Sequence, residues 1–149
     1  MTIRKGVKED FEEYYKLKKE EEKDYSQIIQ EKIPSLSKKE YKKDFDEIFS
    51  SRKNILLVME ENKKLLGFLY GTKQGNKRNI KSYIEVLFVS KDGRRKGIAS
   101  SLIKEFIKIL KQGKIKKIQL SVNTKNIGAI KLYEKLGFEI FKHEMRKKI

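Results

Sequence analysis

Three basic side chains stand between two glycines in the stretch Gly93-Arg94-Arg95-Lys96-Gly97. An apolar run ends just before this stretch and an amphipathic segment begins just after it, which predicts a turn between a strand and a helix. The first amides of a helix have no intrahelical acceptor, and the helix dipole adds positive charge at the same end. These residue types in this order therefore predict an anion site suited to a phosphate or pyrophosphate.

A second set of residues that could bind a ligand follows further along the chain. Its members recur at intervals of three or four, the spacing of one helix face: Asn126, Ala129, Ile130, Tyr133 and Gly137. A carboxamide and a phenol on the same face can contact one ligand. The alternative is that Tyr133 is a core aromatic whose hydroxyl bonds to the backbone.

Hydrophobic periodicity and capping signals predict the elements that position these residues. Strands are predicted at residues 2–4, 55–60, 65–71, 83–89 and 115–122, with two short ones at 138–141 and 144–149. Helices are predicted at residues 8–23, 37–50, 98–112 and 126–136, the second opened by a Ser37 and Glu40 capping box. Residues 73–81 are expected to form a polar loop. The strand, helix and strand around the basic turn imply a parallel pair inside a mixed sheet.

Length and composition bound the class of protein. The chain has 149 residues, enough for one domain with one core, and no cysteine, which excludes disulfides, cysteine metal sites and a thiol nucleophile. The amino terminus has no apolar signal region, and no apolar run approaches the length of a membrane span. A cytoplasmic protein without a membrane partner is the expectation.

The formal net charge is +16 and comes mainly from lysine. A field of this sign would attract nucleic acid, an anionic membrane or an acidic small ligand, and it does not choose among them. The alternative is a lysine-rich composition spread over solvated faces, because the lysines are interleaved with 21 acidic residues. Only local clusters of charge therefore point to function.

The two motifs together resemble the GCN5-related N-acetyltransferase (GNAT) family. Residues 94–99 fit its pattern of Arg or Gln, two residues, Gly, one residue, and Gly or Ala, and residues 120–138 fit its second motif. The resemblance implies an α/β (α+β) fold, with a twisted, mostly antiparallel mixed sheet of six to seven strands and four helices. It also implies one acetyltransferase domain over 1–149, with acceptor-side helices at 8–50 and an acetyl-CoA-binding core at 83–138.

By this resemblance the cosubstrate is acetyl-CoA, with no metal. Gly97 and Ala99 would let the backbone approach the pyrophosphate closely, and neighbouring amides, including those of Ile98 and Ser100, would donate to it. Basic side chains would add charge nearby, namely those of Arg94, Arg95 and Lys96. The pantetheine arm would pair with the backbone of the preceding strand at Leu87, Phe88 and Val89. A backbone amide there would also polarise the thioester carbonyl. Asn126 matches the position that binds the arm.

The implied reaction is direct acetyl transfer to a primary amine in a ternary complex. Tyr133 matches the family's proton donor to the departing thiolate. Glu85 shares a strand face with Tyr83 and is the candidate general base, with a structural carboxylate paired to lysine as the alternative. Some relatives place a glutamate on the next strand, where this chain has Ser121. His143 is expected to be a surface residue, and a metal site is not expected.

Other functions fit parts of the same pattern. A nucleic-acid or ribosome-binding module would use Arg94, Arg95, Lys96 and the 73–81 loop on phosphates, and would need neither Asn126 nor Tyr133. A degenerate member would bind the cofactor without catalysis. The net charge favours a peptide or protein amino terminus over a small-molecule amine as acceptor, and the acidic run at 20–24 is either an attractor of cations or a solvated face. A monomer or a homodimer is expected.

Overall fold

The structure, a computed structural model, describes residues Met1–Ile149 and contains a five-stranded sheet. The strands lie side by side in chain order: β1 (Thr2–Lys5), β2 (Asn54–Glu61), β3 (Lys64–Asn76), β4 (Asn79–Val89) and β5 (Ile118–Leu120). All neighbours are antiparallel except β4 and β5, which are parallel. The predicted mixed, mostly antiparallel sheet is therefore confirmed.

Four helices cover the two faces of the sheet. Helices α1 (Phe11–Ile29) and α2 (Lys38–Ile48) lie on one face, where aromatic residues such as Phe45 and Phe68 form one buried cluster. Helix α3 (Ile98–Gln112) lies on the other face and forms a second cluster, against which side chains of α4 (Ile127–Lys135) pack. Successive side chains of a strand point to opposite faces of the sheet, so the strands contribute to both clusters and the sheet separates two cores.

Local signals explain where the helices begin and how one of them packs. At the start of α2 the Ser37 side chain accepts from the Glu40 amide at 3.2 Å, and the Glu40 carboxylate accepts from the Ser37 amide at 2.6 Å, which confirms the predicted capping box. Helix α3 buries Phe106 completely. Gly71 of β3 permits this, because a Cβ there would lie 2.3 Å from the Phe106 Cζ.

The expected strand count is too high. Residues 138–149 form no strand, and the last strand of the sheet is only Ile118–Leu120 rather than 115–122. An added strand needs a free edge of comparable length, and β5 offers three residues. The apolar side chains that predicted the carboxyl-terminal strands remain outside, with Ile140 and Phe141 exposed by 69% and 62%.

Two predicted boundaries are also wrong. The expected loop at 73–81 is the end of a long hairpin, in which β3 continues to Asn76 and β4 begins at Asn79. The first helix continues to Ile29 instead of ending near residue 23, because the acidic run has partners on other elements and is not a solvated end. No helix has both the length and the apolar character needed to cross a bilayer.

The first strand is joined to the first helix by a partly buried ion-pair cluster. Asp10, 9% exposed, accepts hydrogen bonds from Arg4 at 2.8 and 2.7 Å and from the Val7 amide at 2.9 Å. Burial works to raise the pKa of Asp10, but the hydrogen bonds from Arg4 and Val7 outweigh it and hold the pKa below its usual value. Glu60 of β2 also contacts Arg4, at 3.1 Å.

The Asp10→Asn variant is expected to lose about 1.5–3 kcal/mol of unfolding free energy, the range for hydrogen bonds to a charged group. Because folding lowers the pKa of Asp10, its stabilising contribution is complete above the unfolded value of about 3.9 and disappears as pH falls through the folded value. Urea unfolding of both proteins between about pH 2 and 7 should show their difference shrinking at the acid end. A difference that stays constant across this range would contradict the assignment.

Candidate functional site

The strands β4 and β5 diverge at the centre of the site. Their parallel pairing covers only Ser82, Tyr83 and Ile84 of β4, so residues 85–89 have no strand on that side. A bulge lies at the point of divergence, because Tyr70 of β3 pairs with Val86 while the next residue pairs with Ile84, which leaves Glu85 as the extra residue. The geometry creates a free β4 edge that leads directly into the basic turn.

The basic turn, residues 90–97, presents a run of unpaired amides. Arg95 and Gly97 both adopt positive φ, at 61° and 73°, and Gly97 is the N-cap residue of α3. The N–H groups of residues 95–100 donate to no acceptor in the protein. A Cβ on Gly97 would find no atom within 4 Å, so open space lies above this residue. The arrangement has the donors and the room that an anion needs.

The basic side chains of the turn differ in their surroundings. Arg94 forms an ion pair with Asp24 of α1, and the Lys91 amide donates to Glu20 of α1 at 2.8 Å. Arg95 and Lys96 are exposed and take part in no ion pair. Of the three basic side chains expected to add charge beside an anion, Arg94 is thus engaged by α1, and two residues of the acidic run hold the turn against that helix.

The residues singled out by the second motif extend along α4, from its N-cap residue to Gly137 just beyond its C-cap. Asn126 is the N-cap residue, and its side-chain oxygen accepts from the Ala129 amide at 3.3 Å, which leaves its NH₂ group without a partner. Tyr133 packs edge-on against Phe138, with ring centroids 5.6 Å apart. Its hydroxyl makes no hydrogen bond to the backbone, so the structural alternative for this tyrosine is not observed.

Burial raises the pKa of the Tyr133 phenol above its ordinary value. The phenol therefore keeps its proton throughout the neutral range. Tyr133 packs against the same apolar cluster as Leu87 and Val89 of β4. The phenol ring and the Leu87 and Val89 side chains therefore lie on the α3 face of the sheet.

Glu85 lies on the opposite face, towards α1 and α2. It is exposed and accepts from the Thr72 hydroxyl at 3.3 Å and from the Gln74 amide at 3.5 Å, with no lysine partner. On the same face the hydroxyls of Tyr83 and Ser121 hydrogen-bond to each other across β4 and β5. The alternative of a lysine-paired structural carboxylate for Glu85 is therefore not observed.

An acidic cavity of about 480 Å³ lies between α1, α2 and β4. Four carboxylates and several tyrosines line it, among them Glu22, Asp44, Glu47, Glu85, Tyr41 and Tyr70. Burial, followed by the charges of Glu85 and Glu47, raises the pKa of Tyr70. The sequence had pointed to Glu85 and to the acidic run, but not to a cavity that they share with α2. The spacing of Asp44 and Glu47, one helical turn apart on α2, was the available signal.

His143 is exposed and lies in the carboxyl-terminal segment, outside these features. No group of three or more histidine, cysteine, aspartate or glutamate side chains is arranged to hold a metal ion.

The site therefore combines a strand edge that is free beyond residue 84, a turn of unpaired amides and a helix that carries a buried phenol. A model of the acetyltransferase (GNAT) family matches residues 10–138, and the chain belongs to this family. The match includes the diverging strands, the basic turn and α4.

One curated relative and two solved structures show what the chain is similar to. N-alpha-acetyltransferase 30 of Dictyostelium discoideum is 38% identical over 85 residues, which cover 57% of this chain and 46% of that protein. A transcriptional regulator from Bacillus halodurans has a TM-score of 0.82 at 23% identity, with 99% of each chain covered. An aminoglycoside N-acetyltransferase in complex with CoA has a TM-score of 0.76 at 17% identity, with 99% of this chain and 98% of that chain covered.

The chain spans less than half the length of the curated relative. The two structural likenesses concern the fold, since both identities lie below a quarter.

Proposed function

We propose that this protein transfers an acetyl group from acetyl-CoA directly to a primary amine. The observation that carries the proposal is the run of unpaired amides at residues 95–100, placed at the end of the free β4 edge in a chain of the GNAT family. Backbone amides at a helix start suit a pyrophosphate, and an unpaired strand edge suits the amide-bearing pantetheine arm.

The residues present fit acetyl-CoA. The amides of residues 95–100, including those of Gly97, Ile98, Ala99 and Ser100, would hold the pyrophosphate, with Arg95 and Lys96 adding charge. The backbone of Leu87, Phe88 and Val89 would pair with the arm, to which the free NH₂ of Asn126 would donate. Arg94 would contribute through its contact with α1, which holds the turn in place, as well as through its charge.

Acetyl-CoA supplies an activated thioester, whose carbon–sulfur bond breaks as the acetyl–nitrogen bond forms. A primary amine attacks only when neutral, and at neutral pH most of it is protonated. Glu85 would accept the proton that the amine loses. The Tyr133 phenol, kept protonated by burial, would donate a proton to the departing sulfur.

The acceptor in this proposal is the amino terminus of a polypeptide, bound on the α1 and α2 side of the sheet. The similarity to N-alpha-acetyltransferase 30 supports this class of acceptor. The position of the acidic cavity supports the location, since Glu85 belongs both to its lining and to the point where β4 and β5 diverge.

The Gly97→Ala variant tests the cofactor site. Its Cβ would enter the open space above the turn, and positive φ costs a non-glycine residue about 1–2 kcal/mol. The strain lowers stability, whereas the added methyl group would obstruct the close approach of the pyrophosphate to the backbone, so we expect at least about a tenfold loss of acetyl-CoA affinity, equivalent to about 1.4 kcal/mol. Isothermal titration calorimetry and the cofactor-dependent rise in melting temperature would both report the loss.

Gly113→Ala is the matched control at the other end of α3. Gly113 has a φ of −83°, and an added Cβ would lie 3.5 Å from its nearest neighbour, so this variant should bind like the wild type. Equal affinity in both variants would remove the turn from the binding site. A wild-type protein that acetyl-CoA does not stabilise would overturn the proposed function itself.

A further inference from the structure

The acidic cavity has a charge opposite to that of the protein as a whole. The chain carries a formal +16, yet the cavity gathers carboxylates from three elements: Glu22 on α1, Asp44 and Glu47 on α2, and Glu85 on β4. One lysine, Lys18, also lines the cavity, but its ammonium group donates at 2.8 Å to Glu21, which is not part of the lining. The local field thus favours a cation where the global field repels one.

Most of these carboxylates lack a counter-ion. Asp44, Glu47 and Glu85 take part in none of the ion pairs of the chain, although lysine and arginine outnumber acidic residues, 37 to 21. Asp46, between them in sequence, does have one, in Lys42 at 2.8 Å. Like charges that share a cavity repel one another, so a bound cation would relieve a cost present in the free protein.

A second observation in the same cavity also points to a ligand. Tyr41 lines the cavity and is only 3% exposed. Its hydroxyl is buried and has no hydrogen-bond partner, unlike every other buried side-chain nitrogen or oxygen of the structure. Buried polar groups are nearly always paired, because leaving one unpaired costs free energy. A ligand with a polar group at this wall would satisfy the hydroxyl.

The volume of the cavity is in the range of small-molecule sites and large enough for more than an amine. Glu85 marks the end next to the diverging strands, and the α2 carboxylates contribute another wall. A single ammonium group needs one carboxylate partner, whereas this lining offers several. The arrangement therefore fits an acceptor with a second positive charge.

We propose that the acceptor is a polypeptide amino terminus with a lysine or arginine among its first residues, and that this side chain lies against Asp44 and Glu47 while the reacting amine lies near Glu85. The inference rests on the proposed acetyl transfer and adds the charge of the acceptor to it. The net charge of +16 would by itself repel a multiply cationic acceptor, and the carboxylates of the cavity outweigh it locally because charges further away than a Debye length are screened.

The test compares peptides that differ only in charge. Peptides with lysine at the second or third position, and the same peptides with norleucine there, are assayed for CoA release with the wild type and with the Asp44→Asn/Glu47→Gln double variant. We expect the wild type to favour the lysine peptides in kcat/KM by about tenfold or more, since two charge-assisted contacts are at stake. In the double variant this ratio should fall towards one.

Asp46→Asn is the matched control, because it makes the same change on the same helix at a residue outside the cavity lining. It should keep the lysine preference. Added salt should weaken the preference of the wild type, as screening requires. Tyr41→Phe should raise KM for the lysine peptides more than it lowers kcat, because its hydroxyl would contact the peptide equally in the ground state and in the transition state.

Each other outcome has a defined meaning. Equal turnover of lysine and norleucine peptides by the wild type, or a preference that survives in the double variant, overturns the charge assignment and leaves acetyl transfer standing. If spermidine is acetylated more efficiently than any peptide, the proposal of a peptide acceptor is overturned and the acceptor is a small polyamine. No CoA release with any of these amines, together with no stabilisation by acetyl-CoA, overturns the proposed function as well.

Discussion

Replacing Tyr133 with phenylalanine is expected to lower kcat by about 10²–10⁴-fold, the usual contribution of a positioned proton donor. Phenylalanine keeps the ring that packs edge-on against Phe138, so folding should be unaffected. Affinity for acetyl-CoA should also be nearly unchanged, because the binding groups we assign lie in the basic turn, in β4 and at Asn126. Steady-state kinetics and calorimetry on the same protein preparation would separate the two effects.

The pH profile adds a second readout for Tyr133. A general acid works only while protonated, so activity should fall as pH rises through its pKa. Burial raises that pKa, and the alkaline fall should therefore begin above the ordinary phenol value of about 10. This limb should be absent in Tyr133→Phe. Tyr25→Phe, on the exposed side of α1, is the control; turnover equal to the wild type in both variants would remove Tyr133 from the reaction.

The Glu85→Gln variant is expected to lower kcat/KM at neutral pH by about 10²-fold or more, the lower end of the range for general acid–base catalysis. Glutamine is nearly isosteric and can still accept from Thr72 and Gln74, so the bulge should persist. The loss should diminish as pH rises towards the pKa of the acceptor amine, because a neutral amine needs no base. A pH series with a norleucine peptide would measure this.

Two comparisons separate a base from a mere negative charge. Glu139→Gln removes an exposed carboxylate from the carboxyl-terminal segment and should leave the rate unchanged. Glu85→Gln with the same loss at every pH would mean that its charge acts only on binding. In that case the hydrogen-bonded pair of Tyr83 and Ser121, on the same face, becomes the group to examine by Tyr83→Phe.

The charged residues illustrate the difference between sequence and structure. The acidic run of α1 was predicted to be either an attractor of cations or a solvated face, and it is divided between two environments. Glu20 and Asp24 contact the basic turn, while Glu22 lines the acidic cavity. Neighbours in the run face different elements because a helix turns by about 100° per residue and the opposing surfaces are set by packing.

The sequence by itself determined the features governed by local rules. The capping box of Ser37 and Glu40, the turn before α3 and the helix spacing that includes Tyr133 depend on neighbours a few residues apart. Hydrophobic alternation similarly indicated the central strands, because each had to supply one or both faces of a core. The same signals failed for residues 138–149, because the neighbouring strand β5 offers an edge of only three residues.

Only the tertiary structure decided how the charges are combined. The ion pair of Arg94 with Asp24 and the hydrogen bond of Tyr83 with Ser121 join residues far apart in sequence. The acidic cavity likewise needs α1, α2 and the bulge at Glu85 to meet. Such contacts depend on the path of the whole chain rather than on any local preference. For that reason the sequence predicted acetyl transfer through its resemblance to a family, whereas the acidic cavity on which the proposed charge of the acceptor rests is visible only in the packed structure.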